Sequence, residues 1–367
     1  MKKNILVTSA LAGSLMFLGS NAIAQTKIDG TLVLGYKSIA YDAAASQKDG
    51  MRGVGREAQL NVSNSGNLNV GGLKYAAGFA LEFDGASEKA TTGNISIGNE
   101  NTYIDITTTT GTTLTFGVDH IQNSDRSTAH FVGLNFEDLD NGNTFFQSSV
   151  GANPKEAIGA GIVQSTPFGN FSYWYVPANG VNGGDDDLDG MNENAQGTAV
   201  TNKDRASAYE IGFVGSLGVK GLNVHAFKNK EKANVGSDNQ PTGGLKGHNY
   251  GISYNFGQFT AGVDRKKTDG RYTTAAEVDD TSKQTTFGVA YAITPQITLG
   301  ASYAKNKTSD VNNETAIGTN DEKAKTIALG YNLGPVVAEV QYGQFEDAKG
   351  IAGADSDVFF ARLLTKF

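Results

Sequence analysis

The sequence predicts an all-β fold: an antiparallel transmembrane β-barrel of about sixteen strands. Three observations carry that reading. Apolar and polar residues alternate with period two in segments of about ten residues, down to the C-terminal residue. The connections between those segments are alternately short and long. Beyond Ala24 no run reaches the ~18 apolar residues that a spanning helix needs. Composition agrees: Gly 47, Tyr 14 and Phe 19 among 367 residues suit sheets with many turns better than helices. With no cysteine, a disulfide scaffold, a thiolate zinc site and cysteine catalysis are excluded. A hydrophobic fraction of 39% and mean hydropathy of −0.30 exclude a bundle of membrane helices.

At the N-terminus, Lys2 and Lys3 form a positive region, Ile5 to Leu18 an apolar one, and Ala22-Ile23-Ala24 a small-x-small cleavage site. Residues 1–24 read as a cleaved secretory signal peptide and residues 25–367 as a single transmembrane barrel domain. Cleavage takes 30 basic residues to 28 against 38 acidic ones, a mature charge of −10. That balance argues against nucleic acid as a partner.

The alternation then runs segment by segment. From Lys27 to Lys37, Ile28, Leu32, Leu34 and Tyr36 share a face opposite Lys27, Asp29, Thr31 and Lys37. From Leu73 to Phe83, Tyr75, Phe79 and Leu81 oppose Lys74, Gly78 and Glu82. The same pattern recurs at Leu114 to Val118, Tyr209 to Phe213, Tyr250 to Phe256, Phe287 to Tyr291, Ile297 to Tyr303, Ile327 to Leu333 and Val336 to Tyr342. The second face is small or polar, as in Asn249, Gly251, Ser253 and Asn255.

A soluble sandwich alternates too, so the connections decide. Short links near Asn64–Asn69, Thr109–Thr112, Pro167–Asn170, Gly218–Gly221, Gly257-Gln258, Thr294–Gln296 and Gly334-Pro335 alternate with long polar ones. The long ones lie near Ser38–Gly53, Asp84–Asn99, His120–Glu156, Pro177–Ala206, Asn229–Gly247, Thr268–Lys283, Asn306–Glu322 and Glu346–Ser356. Tight turns at one end and long loops at the other are the distribution of a bacterial outer-membrane barrel, and about sixteen strands leave a wet lumen. Apolar faces then meet lipid and polar faces the lumen. Phe168, Phe171, Phe256, Phe259 and Phe367 sit by the short turns, while Tyr36, Phe83, Tyr175, Tyr209 and Tyr303 sit nearer the loops, as two interfacial girdles require.

At this point the chain resembles the general porin family of Gram-negative outer membranes. The resemblance rests on the signal peptide, the strand number, the longest connection after the fifth strand, and a last strand, Val358 to Phe367, ending in phenylalanine. It implies an integral outer-membrane protein surrounded by its lipids, a homotrimer, with a water-filled channel for passive diffusion of ions and small hydrophilic solutes. It implies no reaction and no cofactor. In the family a terminal aromatic preceded by alternating apolar residues is read by the barrel-assembly machinery. Phe359, Leu363 and Phe367 fit that signal, and Thr365 departs from it. The segment His120–Glu156 corresponds to the family's third loop, which folds into the lumen and narrows it. Its acids Asp125, Glu137, Asp138 and Asp140, with Arg126 beside them, would face basic wall residues across the constriction. Alternation turns Lys37, Lys74 and Arg362 inward, and the expected pairing sets Glu137, Asp138 and Asp140 against Lys74 and Arg362. Inward acids (Asp29, Glu57, Glu82, Asp105, Glu210, Asp264, Glu339) slightly outnumber inward bases, which with the acidic loops predicts weak cation selectivity.

Two motifs point elsewhere. Asp185, Asp187, Asp189 and Gly190, with Glu193 following, have calcium-loop spacing, but Gln196 stands where a bidentate Glu belongs. A structural calcium in an extracellular loop and an acidic solvated loop both remain open, and the missing Glu favours the second. An outer-membrane barrel enzyme of lipase or protease type, with loop-borne residues such as His120 beside Asp119, is the alternative function. The histidines show no H-E-x-x-H spacing, and no G-x-S-x-G elbow is present.

Overall fold

The computed structural model describes residues 25–41, 51–85, 97–117, 129, 159–177, 207–231, 234–235, 241–242, 246–274, 276–309, 321–347, 352–353 and 355–367. The chain forms β1 (Gln25–Tyr41), β2 (Met51–Asn67), β3 (Lys74–Gly85), β4 (Ile97–Thr107), β5 (Thr112–Gly117) and β6 (Gly159–Thr166). There follow β7 (Gly169–Val176), β8 (Ala208–Gly215), β9 (Leu222–Glu231) and a separate short hairpin, β10 (Asn234–Val235) with β11 (Pro241–Thr242). The remainder is β12 (Lys246–Phe256), β13 (Phe259–Thr274), β14 (Ala276–Ala292), β15 (Ile297–Ser309), β16 (Asp321–Asn332), β17 (Val336–Glu346) and β18 (Ser356–Lys366). Apart from the β10–β11 hairpin, the strands pair antiparallel in chain order, and β1 pairs with β18, so sixteen strands close into one barrel. Closure leaves no open edge whose N–H and C=O groups lipid would have to solvate.

Neighbouring strands meet at one end through turns of a few residues. Gly257 and Gly334 there take φ of 87° and 93°, a conformation that costs glycine little. One expected loop is largely strand. β13 and β14 pair without a break from Phe259↔Tyr291 to Thr274↔Ala276, across most of the segment 268–283. These strands run beyond the membrane, where both faces are polar and alternation gives no signal.

The seam joining the first and last strands ends on reciprocal backbone bonds. The Gly30 N–H donates to the Phe367 carbonyl at 2.9 Å, and the Phe367 N–H to the Gly30 carbonyl at 3.1 Å. Thr365, the departure in the terminal signature, donates its hydroxyl to the Pro335 carbonyl at 3.0 Å, so this lipid-side polar group is satisfied by the adjacent turn. Phe359, Leu363 and Phe367 are exposed on the outer face, as alternation required.

The outer face carries the two girdles. By the turns, Phe259 stacks between Phe256 and Tyr291, with ring centroids 5.8 and 4.5 Å away. Toward the loops, Tyr36 lies 6.3 Å from Phe359 and Tyr173 6.5 Å from Tyr209. Between the girdles exposed Ile, Leu, Val and Phe side chains present an apolar band to lipid.

The inner face is not uniformly polar. Trp174, Val176 and Ala208 form one buried cluster at the loop end of β7 and β8. Ile39, Ala324, Phe345, Val358 and Phe360 form another at the loop end of β1 and β16 to β18. Trp174 and Phe360 are 0% exposed although they point into the barrel. Here both faces of the strand are apolar, as Tyr173-Trp174-Tyr175-Val176 and Val358-Phe359-Phe360-Ala361 show. That is the pattern of a strand covered on both sides.

Candidate pore lining and constriction

Period-two geometry turns one side chain in two toward the lumen, and the register fixes which ones share a level. Lys37 on β1, Arg362 on β18 and Glu339 on β17 face inward, with Arg362 directly opposite Glu339. The Arg362 Nε donates to Glu339 Oε2 at 2.5 Å, with side chains 7% and 13% exposed. The guanidinium also lies over the Phe360 ring, 5.9 Å from its centroid. Arg362 is therefore paired on the wall itself. Lys37 is buried two positions further along β1 from Gly35, the residue opposite Arg362.

Lys74 stands elsewhere. It pairs with Asn67 at the turn end of β2, whereas Gly55 of β2 is level with Gly35 and, through it, Arg362. From Gly55 to Asn67 is about 40 Å of strand at ~3.3 Å per residue. The register thus sets Lys37 and Arg362 two residues apart along the seam and leaves Lys74 at the turn end of β3, away from both along the strands. Asp125, Arg126, Glu137, Asp138 and Asp140 lie outside the described residues, as do His120 and the calcium-like set Asp185, Asp187, Asp189 and Glu193.

One residue between β5 and β6 is described, and it is informative. Ala129 is fully buried, and its N–H donates at 2.9 Å to Oδ2 of Asp264, an inward residue of β13. On the adjacent β14, a Cβ at Gly288 would collide with the Ala129 carbonyl. The long connection therefore touches the inner wall across the barrel from the strands that flank it. Around Asp264, the ring of His225 on β9 contacts Asn249 Oδ1 of β12 through Nε2 at 2.9 Å, and the same nitrogen is 3.9 Å from Asp264 Oδ1. Lys266, Thr268, Gln284 and Thr286 continue this buried polar wall.

Further around, Thr115 donates to Asp105 at 2.6 Å, Asn61 to Asp29 at 2.9 Å, and Asn306 to Glu322 at 3.2 Å. Sequence reasoning set Asp264, Glu339 and Arg362 on the inner face but missed two things. One is the direct Arg362–Glu339 pairing, legible only once register is known. The other is His225 with Glu322 on the inner face, which follow from the same alternation.

Arg362→Gln tests the wall pair. Leaving Glu339 charged beside a partner that cannot neutralise it lowers barrel stability by about 3 kcal/mol, the low end for a buried pair because the lumen is wet. It also moves the reversal potential toward cations. Adding Glu339→Gln restores most of both; urea midpoints and salt-gradient currents on the refolded protein check this.

A closed antiparallel barrel of sixteen strands with an apolar belt outside and a charged, hydrogen-bonded wall inside defines a transmembrane channel protein. The chain belongs to the Gram-negative porin family, which matches residues 8–360. Like that family's members, it is an integral outer-membrane porin. Among curated proteins none is significantly similar in sequence. Solved structures of similar fold include the anion-selective porin of Comamonas acidovorans, 13% identical over 94% of this chain and 100% of that one, with a TM-score of 0.65. Outer-membrane OmpT of Vibrio cholerae is 13% identical over 95% and 99% of the two chains, with a TM-score of 0.61. Its in-vitro folded trimer form is 14% identical over 94% and 99%, with a TM-score of 0.58.

Proposed function

We propose that this porin passes ions and small hydrophilic solutes by passive diffusion, with weak cation preference and no chemical reaction. The observation that carries the reading is the lumen wall, where the inward acids Asp29, Glu57, Glu82, Asp105, Glu210, Asp264, Glu322 and Glu339 outnumber the inward bases Lys27, Lys37, Lys74, Lys266, Arg362 and Lys366, and still do so once the Arg362–Glu339 pair is set aside. Charge of one sign along a wet constriction raises the local concentration of its counterion.

In this reading the connection between β5 and β6 folds inward, with Ala129 on Asp264 as one anchor. Glu137, Asp138 and Asp140, with Asp125 and Arg126, narrow the passage opposite Lys37 and the Arg362 wall. The protein assembles as a homotrimer after its signal peptide is removed behind Ala24, where β1 begins. The terminal Phe359, Leu363 and Phe367 act as the assembly signal.

The test is the reversal potential of the refolded chain in a KCl gradient, beside the triple change Glu137→Gln, Asp138→Asn, Asp140→Asn. Cation preference that falls in the triple variant supports the reading. Anion preference in the unmodified protein contradicts the selectivity, and an unchanged reversal potential removes the three acids from the constriction.

A further inference from the structure

The inner wall carries an apolar row well away from its buried loop-end clusters. On β1, β18 and β17, Val33, Leu364 and Val337 share the inward parity and lie side by side, with Leu364 directly opposite both valines. One inward position toward the loops, the ladder sets Arg362 against Glu339. One inward position toward the turns stands Lys366, opposite Thr31. Other inward positions carry hydrogen-bonded polar pairs, such as Asn61 with Asp29 and Thr115 with Asp105.

Along this row lies a cavity of about 360 Å³, lined by Gly334, Pro335, Val337, Glu339, Leu364 and Lys366. It sits at the turn end of the lumen, where β16 passes into β17. Trp174 and Phe360 are fully covered, whereas Val337 and Leu364 are only half-buried. The two charged groups of the lining stand at opposite ends of the apolar stretch. Glu339 receives Arg362 through Oε2. Lys366 is exposed and makes no ion pair with a described residue. Apolar surface between a carboxylate and an ammonium is complementary to a solute that is both apolar and dipolar, with the charged groups fixing its direction. An apolar anion would rest its tail against Glu339 at a desolvation cost, while an ammonium there gains a charge partner.

We propose that this cavity is a binding subsite for short zwitterionic peptides with aliphatic side chains, an inference that rests on the reading of the protein as a solute channel. The peptide's amino terminus meets Glu339, its carboxylate meets Lys366, and its side chains cover Val337 and Leu364. The lengths agree. From Glu339, level with Arg362, to Lys366 is four residues of ladder, about 13 Å at ~3.3 Å per residue. Three extended peptide residues span about 10 Å, and the flexible lysine stem closes the remainder. Covering the aliphatic row supplies affinity, and the two charged ends supply orientation.

The test is saturation-transfer NMR on the full mature chain refolded in detergent, with leucyl-glycyl-leucine as the probe. This readout needs no current, so it is separate from the conductance that decides whether the protein is a channel. The unmodified barrel is expected to bind the free tripeptide about tenfold more tightly than its N-acetylated form or its C-terminal amide, the low end for hydrogen bonds to charged groups. It is also expected to prefer the tripeptide to triglycine. Lys366→Gln brings the free tripeptide down to the level of its amide, and Lys366→Arg keeps the difference. Val337→Thr with Leu364→Thr removes the preference over triglycine. Equal binding of the free and N-acetylated tripeptides by the unmodified barrel overturns the proposal in favour of an anion subsite, a result that needs no variant to fold. Triglycine binding as tightly as the tripeptide overturns the role of the aliphatic row. Affinity that Lys366→Gln leaves untouched places the peptide elsewhere in the lumen and overturns the site. Absence of saturation transfer from a folded, conducting barrel overturns the proposal while the channel reading stands.

Discussion

Gly30→Val loosens the barrel at its closing seam. A Cβ at position 30 would stand 2.6 Å from the Phe367 ring and 2.7 Å from the backbone carbonyl of Gln59. The ring can swing into lipid, but the carbonyl is fixed in the β1–β2 ladder, where Gly30 pairs with Leu60 and Thr31 with Gln59. β1 must therefore shift, and the two bonds between Gly30 and Phe367 go with it. Overpacking together with two lost hydrogen bonds costs about 2–5 kcal/mol. The folded, heat-modifiable band on a semi-native gel should shrink after refolding in detergent, with Gly30→Ala intermediate. Refolding without cellular machinery matters, because a terminal Phe that serves as an assembly signal would fail only in cells. A full yield of folded Gly30→Val protein contradicts the seam.

Gly288→Val should change the current without changing the barrel. Gly288 is held between Gly262 of β13 and Ser302 of β15, so the wall cannot yield. The Ala129 carbonyl occupies the space a side chain needs, so the β5–β6 connection is the part that moves. Its hydrogen bond to Asp264 then breaks, a net loss of about 1.5–3 kcal/mol for a bond to a charged group. Single-channel records should show larger or noisier steps, and Asp264→Asn a weaker version of the same effect. Steps identical to those of the unmodified protein, from a barrel of unchanged melting behaviour, would mean that this contact does not set the passage.

The barrel was legible because its two signals are physical necessities of a bilayer. Lipid demands apolar residues at every second position, and closure demands tight turns at one end, so Tyr250-Ile252-Tyr254-Phe256 and Gly257-Gln258 could be read directly. Where those demands lapse, the reading failed. Beyond the membrane, β13 and β14 continue as paired strands with polar residues on both faces. At the loop ends of β7 and β18, Trp174 and Phe360 are apolar on the lumen side because they are covered there too, which alternation alone does not anticipate.

The site was legible only by parity. Lys37, Lys74 and Arg362 do face inward, yet level along the barrel depends on register, and register separated Lys74 from the other two. The pairing of Arg362 with Glu339 depends on it as well, since residues 23 apart in sequence meet only when β17 and β18 are aligned. Nothing in the sequence announces that Asp264 would receive the Ala129 N–H. The long segment has no period, and its wall partner lies 135 residues away.

The most direct measurement of the central claim is single-channel conductance of the refolded mature chain in a planar bilayer. An open lumen bounded by sixteen strands predicts stable, ohmic steps, larger in Gly288→Val, that carry cations more readily than anions. A protein that refolds to a heat-modifiable barrel and inserts, yet passes no current at any voltage, would contradict the channel itself.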